Sequence, residues 1–394
     1  MKCPVCDNVN MSMLCPECGF DSSRDYEKYP TFGPVGRVPS ASGLRVEWKG
    51  PVKVPVWLMA AACVLTMVLG IGIGAGLGGG EYDPTEPKET VQMQEPQEPW
   101  EVNILMSDEV RDGVWCVEAP VFGSKYRREQ IKTVTFLDTL ADEPQDAWDV
   151  SEAGNGAVMA WVKRTDSLSD VELDQYDLYV GAEGGVWGGE SCEELFAGYK
   201  NAERIVFADV FHTENVQNMS HLFLQCHDLT SLELSEFDTS NVQNMSGMFG
   251  GCKSLPTLDL SSFDTANVEY MGAMFSGCSS LSDLKVSRFD TSKVRIMNFM
   301  FKQCEKLSTL DLSSFDTSNV TQMTHMFEGC SSLEKLTLSN SFDTSNVYFM
   351  DWMFYGCSSL KKLTLGDKFV TTNADTTDMF DYCPAGEDYN HLLN

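Results

Sequence analysis

From Phe237 the chain repeats itself. Phe237-Asp-Thr-Ser-Asn-Val242 returns nearly letter for letter at Phe263, Phe289, Phe315 and Phe342, at spacings of 26, 26, 26 and 27 residues. Cysteines keep the same beat at 226, 252, 278, 304, 330, 357 and 383. One unit reads FDTSNVxxMxxMFxGCxSLxxLxLSx. Imperfect copies flank the good ones. Leu195-Phe196-Ala-Gly-Tyr199 opens the array with Tyr199 in the cysteine slot, and Thr377-Asp378-Met379-Phe380-Asp-Tyr-Cys383 closes it with no strand to follow. A period of this length is the signature of stacked units that share one continuous core.

Each unit divides in two. LxxLxL, as in Leu255, Leu258 and Leu260, ends on a period of two and suits a short strand. NVxxMxxMF, as in Val242, Met245, Met248 and Phe249, has apolar residues at i, i+3, i+6 and i+7, which is one face of a short helix. Asp, Thr and Ser just before it suit a helix N-terminus, and Gly before most of the cysteines suits its end. The expected fold is therefore an α/β solenoid of about 26-residue strand–helix units. It is right-handed, with a parallel sheet on the concave side.

The unit FDTSNVxxMxxMFxGCxSLxxLxL resembles that of the BspA-like leucine-rich repeat surface proteins of bacteria, over roughly residues 190–383. Ile131-Lys-Thr-Val-Thr-Phe-Leu137, Ala147-Trp-Asp-Val-Ser151 and Leu178-Tyr-Val-Gly-Ala-Glu-Gly-Gly185 are similar to that family's lead-in. The resemblance implies adhesion or ligand binding at the cell surface and no enzymatic activity. Taken by itself, the lead-in alternates apolar and polar residues, as in Val134 and Phe136 and in Val158, Ala160 and Val162. It reads as a β-rich cap over residues 102–190, covering the first coil of an array that spans 191–394.

The first hundred residues differ in chemistry. Cys3-Pro-Val-Cys6 and Cys15-Pro-Glu-Cys18-Gly form two CxxC knuckles, the spacing of a four-thiolate zinc site. With no ligand position left open, the zinc is structural, and residues 1–20 resemble the short zinc ribbons at the start of many bacterial membrane proteins. Residues 21–53 read as a cytosolic linker. Residues 54–78 carry no charge, and Val56 to Leu77 as a helix matches a bilayer core of about 30 Å, which predicts one transmembrane helix. Residues 79–101, rich in Pro and Glu, read as an extended stalk. Arg37, Arg45, Lys49 and Lys53 precede the apolar run and only Lys88 follows it closely, so the N-terminus is expected in the cytoplasm and the repeats outside.

The chain carries 58 Asp plus Glu against 28 Lys plus Arg, a net charge of -30. Phosphate binding needs a basic footprint, so a nucleic-acid partner is excluded. The excess has an address. Residues 1–53 carry seven basic and six acidic residues, whereas residues 81–394 carry 21 and 52. No GxxxxGK[ST], GxSxG or HExxH occurs, and five His leave little material for a histidine-based active site.

Within the repeats, the cysteine column reads as buried free thiols and the Asp of FDTSNV as bonded within its own unit rather than to calcium. Between the strand leucines, Glu233, Asp259, Asp283, Lys285, Asp311, Glu334, Lys335, Lys361 and Lys362 run from acidic toward basic without an aromatic among them. The other side of the unit differs. Two slots three residues apart hold small or polar residues in most units, but Tyr270, Ile296, Phe299, Phe349 and Trp352 in three, with Tyr348 and Tyr355 beside the last pair. Exposed, Phe299, Tyr348, Phe349, Trp352 and Tyr355 form an apolar ligand patch; partial burial against adjacent helices is the competing reading. The expected function is a membrane-anchored surface module that binds an extracellular protein or another host or bacterial surface ligand. The alternative is a membrane-tethered sensor that couples the ectodomain, through the ribbon, to a cytosolic partner.

Overall fold

A computed structural model of the chain describes residues 103–105, 119–165 and 174–393. The ribbon with Cys3, Cys6, Cys15 and Cys18, the linker, the apolar run, the stalk and Cys116 lie outside the described residues. Among the described residues no helix is long and apolar enough to cross a membrane.

The lead-in is β-rich. β1 (Ile131–Leu137), β2 (Trp148–Asp149), β3 (Met159–Arg164) and β4 (Tyr176–Gly181) are followed by the pair of β5 (Val186–Trp187) and β7 (Phe211–His212), with β6 (Arg204–Val206) between them in sequence. β8 (Ser231–Leu232) completes a six-stranded sheet in the order β2-β3-β4-β1-β6-β8. β3 pairs antiparallel with β4, whereas β1 runs parallel to both β4 and β6. The cap sheet thus passes directly into the strand column of the array. Val134, Phe136, Leu178 and Val180 fill its inner face, all fully buried.

The strand column continues through β9 (Thr257–Asp259), β10 (Asp283–Lys285), β11 (Thr309–Asp311), β12 (Lys335–Thr337) and β13 (Lys362–Thr364). Pairing is parallel and in repeat register, with Leu258 opposite Leu284 and Leu336 opposite Leu310 and Leu363. Most of these strands bury the central leucine and expose its two neighbours, the alternation that their sequence carries.

The helical half of the expected unit does not exist. Among the described residues the helical elements are two 3-10 segments, Arg128–Gln130 and Pro384–Leu392, neither within a repeat. NVxxMxxMF instead runs as linked tight turns. Met248 N–H closes onto Met245 O, Gly250 onto Gly247 and Cys252 onto Phe249. The alternate residues give their N–H groups to the next coil: Met245 to Tyr270 O, Gly247 to Gly272 O, Phe249 to Met274 O and Gly251 to Ser276 O, at 2.7–2.9 Å. A helix would spend those donors within itself; here they form a second parallel ladder, opposite in role to the strands. The linked turns bury the same positions as a helix would, so Val242, Met245, Met248 and Phe249 are all buried as the pattern requires. The strand–helix unit is therefore corrected to a strand–turn unit.

The repeated letters now have individual reasons. Phe196, Phe223, Phe249, Phe275, Phe301, Phe327, Phe354 and Phe380 form one continuous stack, with ring centroids 5.3–5.7 Å apart. Each ladder thiol from Cys226 to Cys357 donates to the carbonyl of a Phe in the preceding coil, at 3.0–3.3 Å. The buried Thr of FDTSNV donates forward, as Thr239 does to Asp264 O at 2.9 Å, and Asn reaches back, as Asn267 does to Ser240 O at 2.7 Å. All eight described cysteines are buried and free.

Side chains close the first coil and the strand side of the last. Arg128, fully buried, donates to Ala197 O at 2.6 Å and to Glu194 O at 2.8 Å. Ala197 O occupies the slot that in later coils accepts from the coil before, as Leu224 O accepts from Gly198. The Arg128 Nη1 thus stands where a preceding coil would be. At the other end, Tyr389 packs on Phe380 with centroids 6.2 Å apart, and its hydroxyl donates to Leu363 O at 2.9 Å.

Candidate functional site

The turn ladder forces two residues per coil into the left-handed region, one mostly Gly or Gln and, four residues before it, a variable one. In seven successive coils the variable residue is His221, Gly247, Ala273, Phe299, His325, Trp352 and Asp378, with φ between 53° and 62°. Gly247 is the only member suited to this slot by its lack of a Cβ. A side chain there costs roughly 1–2 kcal/mol. Three consecutive coils nevertheless place a flat ring in the slot.

Those rings meet. Phe299 stacks on His325 at 4.9 Å with 13° between planes, and His325 lies 5.4 Å from Trp352. Trp352 stacks on Tyr355 at 4.3 Å, and Tyr355 meets Tyr382 edge-on at 5.3 Å. The row climbs four coils. Phe299, His325, Trp352 and Tyr355 are half-buried and Tyr382 is exposed. Such contacts return about 0.5–1.5 kcal/mol each, comparable with the backbone cost. The rings therefore bring little net stability and leave an apolar edge facing solvent.

A polar hub holds one flank. Glu328 accepts from Lys302 at 2.8 Å and pairs with His325 Nδ1 at 2.5 Å, while the Lys302 ammonium lies 5.4 Å from the Phe299 ring centre. Burial pushes the Glu328 carboxyl up, but the bonds from His325 and Lys302 outweigh it and hold it below its ordinary value.

Of the residues singled out in the sequence, Phe299, Trp352 and Tyr355 join this row. Tyr348 is half-buried on the neighbouring slot, with its N–H on Thr321 O. Phe349 is 5% exposed and, like Ile296 and Tyr270, belongs to the column of parallel bridges that stitches the coils together. His325, Tyr382, Lys302 and Glu328 were not singled out. The available signal was the slot itself: His325 lies 26 residues after Phe299 and 27 before Trp352.

The other repeated groups are inward or self-satisfied. The Asp residues at 238, 264, 290, 316 and 343 each accept the N–H two residues on, at 3.0 Å. Among the described residues no group of three or more His, Cys, Asp or Glu is placed to hold a metal ion. The exposed strand positions hold the mixed charges that their sequence shows, with Lys285 bonded to Asp283 at 2.6 Å.

No curated protein and no solved structure matches the chain. A family described as "Mycoplasma protein of unknown function, DUF285" matches residues 190–285 and 280–391. Together these span the strand–turn array and just over half of the 394 residues. The chain is a repeat protein that belongs to the DUF285 family.

Proposed function

We propose that this is a membrane-anchored surface protein whose array binds a protein or other surface ligand through the turn-side aromatic row from Phe299 to Tyr382. The observation that carries this reading is the choice of Phe299, His325 and Trp352 for a left-handed slot that glycine fills at no cost. Residues retained against backbone preference, on a half-exposed face, mark a functional constraint. A turn-side row of aromatics is also the composition enriched at the centre of protein interfaces.

The anchoring part rests on sequence. The uncharged run of residues 54–78 is long enough to span a bilayer, and basic residues precede it. Cys3, Cys6, Cys15 and Cys18 would hold a structural zinc on the cytoplasmic side. The repeats offer binding surface and no set of groups for covalent chemistry.

Protease treatment of intact cells tests the location. Loss of the repeats with survival of residues 1–53 supports it, and cleavage confined to the first 50 or so residues overturns it. Probing matrix-protein, glycan and bacterial-surface arrays with the full-length chain tests the role. Binding that is lost in Phe299→Gly supports the row, and binding indifferent to that change removes it.

A further inference from the structure

From Asp378 on, the turn-side ladder finds no partner among the described residues. In the penultimate coil, Trp352, Phe354 and Gly356 donate to Thr377 O, Met379 O and Asp381 O at 2.9–3.0 Å. The equivalent N–H groups of the last coil belong to Asp378, Phe380 and Tyr382, and they find no acceptor among the described residues. The strand side of the same end is closed by Tyr389 on Leu363 O and by Ala385 N–H on Leu360 O. The first coil is closed by Arg128. The C-terminal turn edge is thus the open end of the array.

This edge offers donors only. The carbonyls of Asp378 and Phe380 are closed into turns by Asp381 N–H and Cys383 N–H. Two copies meeting end to end would set donor against donor, so a second copy does not complete it. An anion would complete the donors but meets Asp378 and Asp381, both exposed and without a cation in ion-pair range among the described residues. Tyr382, at 75% exposure, adds an aromatic ring to this edge.

Carbonyl oxygens at every second residue satisfy the donors, as every earlier coil does. Basic side chains satisfy the acids, and apolar ones cover Tyr382. We infer that the C-terminal end of the array takes up a basic segment of a partner protein whose main chain continues the turn-side ladder. Main-chain bonds to Asp378 and Tyr382 would give it register, and the aspartates its charge preference. The inference rests on the surface-binding reading and names the partner's chemistry at the end where the aromatic row terminates.

The test uses the full-length chain and two ten-residue probes, one of alternating lysine and valine and one of alternating glutamate and valine. Binding is titrated at low salt, and hydrogen exchange across residues 376–383 is followed by mass spectrometry. The lysine peptide should bind and slow exchange there, and the glutamate peptide should do neither. Asp378→Asn with Asp381→Asn should weaken the lysine peptide by about tenfold, since asparagine keeps the left-handed backbone while the charges are lost. Equal binding of the two peptides, or binding without protection of residues 376–383, overturns the inference. The row is read separately, by surface binding of Phe299→Gly, so either idea can fail while the other stands.

Discussion

The threonine column gives the sharpest stability prediction, because different coils use the same residue differently. Thr265 is 2% exposed; its hydroxyl accepts Asp290 N–H at 2.8 Å and donates to Asp290 O at 2.9 Å. Thr265→Val keeps the shape and leaves two backbone groups unpaired. A sealed group would cost about 1–3 kcal/mol, but water reaches exposed Asp290, so the low end applies and the total is about 2 kcal/mol. Thr317 donates to Asp343 O at 2.9 Å, while Asp343 N–H goes to Ser341 O instead. Thr317→Val therefore orphans one group and should cost about 1 kcal/mol. Thr265→Ser keeps the hydroxyl and loses a methyl, for about 0.8 kcal/mol. Urea unfolding followed by circular dichroism resolves these as midpoint shifts of roughly 1 M or less. Equal costs for the two valine variants, or a Thr265→Val no worse than Thr265→Ser, would refute the ladder as the source of the stability.

Two further outcomes follow from the buried and bonded groups. Burial pushes the Cys278 and Cys330 thiols up to about 12, so at pH 8 an alkylating reagent should leave both unmodified until denaturant opens the array, as mapped by mass spectrometry. Hydrogen bonds from Ser292 and Ser345 hold the Asp290 and Asp343 carboxyls below the usual range, and Glu328 is also held low. A depressed folded pKa adds stability that is present above the unfolded value and lost as pH falls through the folded one. The urea midpoint should therefore decline below about pH 4, and Glu328→Gln should flatten part of that decline.

The residues that would be buried were legible from period alone: Val242, Met245, Met248, Phe249 and the strand leucines. Their backbone on the turn side was not. A chain of three-residue turns and a helix bury the same positions, and only the destination of the N–H groups separates them. One local signal favoured turns. Gly247, inside the supposed helix, supplies a φ of 62°. The Asp and Cys columns followed from local chemistry, because each bond lies within a unit or to the next identical one. The aromatic patch was half legible. Phe299, Trp352 and Tyr355 share a face in either backbone, but Phe349 is buried in the bridge column.

The central claim is that the row is kept for binding rather than for folding, and Trp352→Gly tests it most directly. Glycine removes a left-handed strain of roughly 1–2 kcal/mol and forfeits ring contacts of about the same size. The full-length variant should unfold within about 1 kcal/mol of the parent and lose its surface binding. A variant that binds as the parent does, or one destabilised by the 3–5 kcal/mol or so expected for a buried Trp removed from a core, would contradict the account.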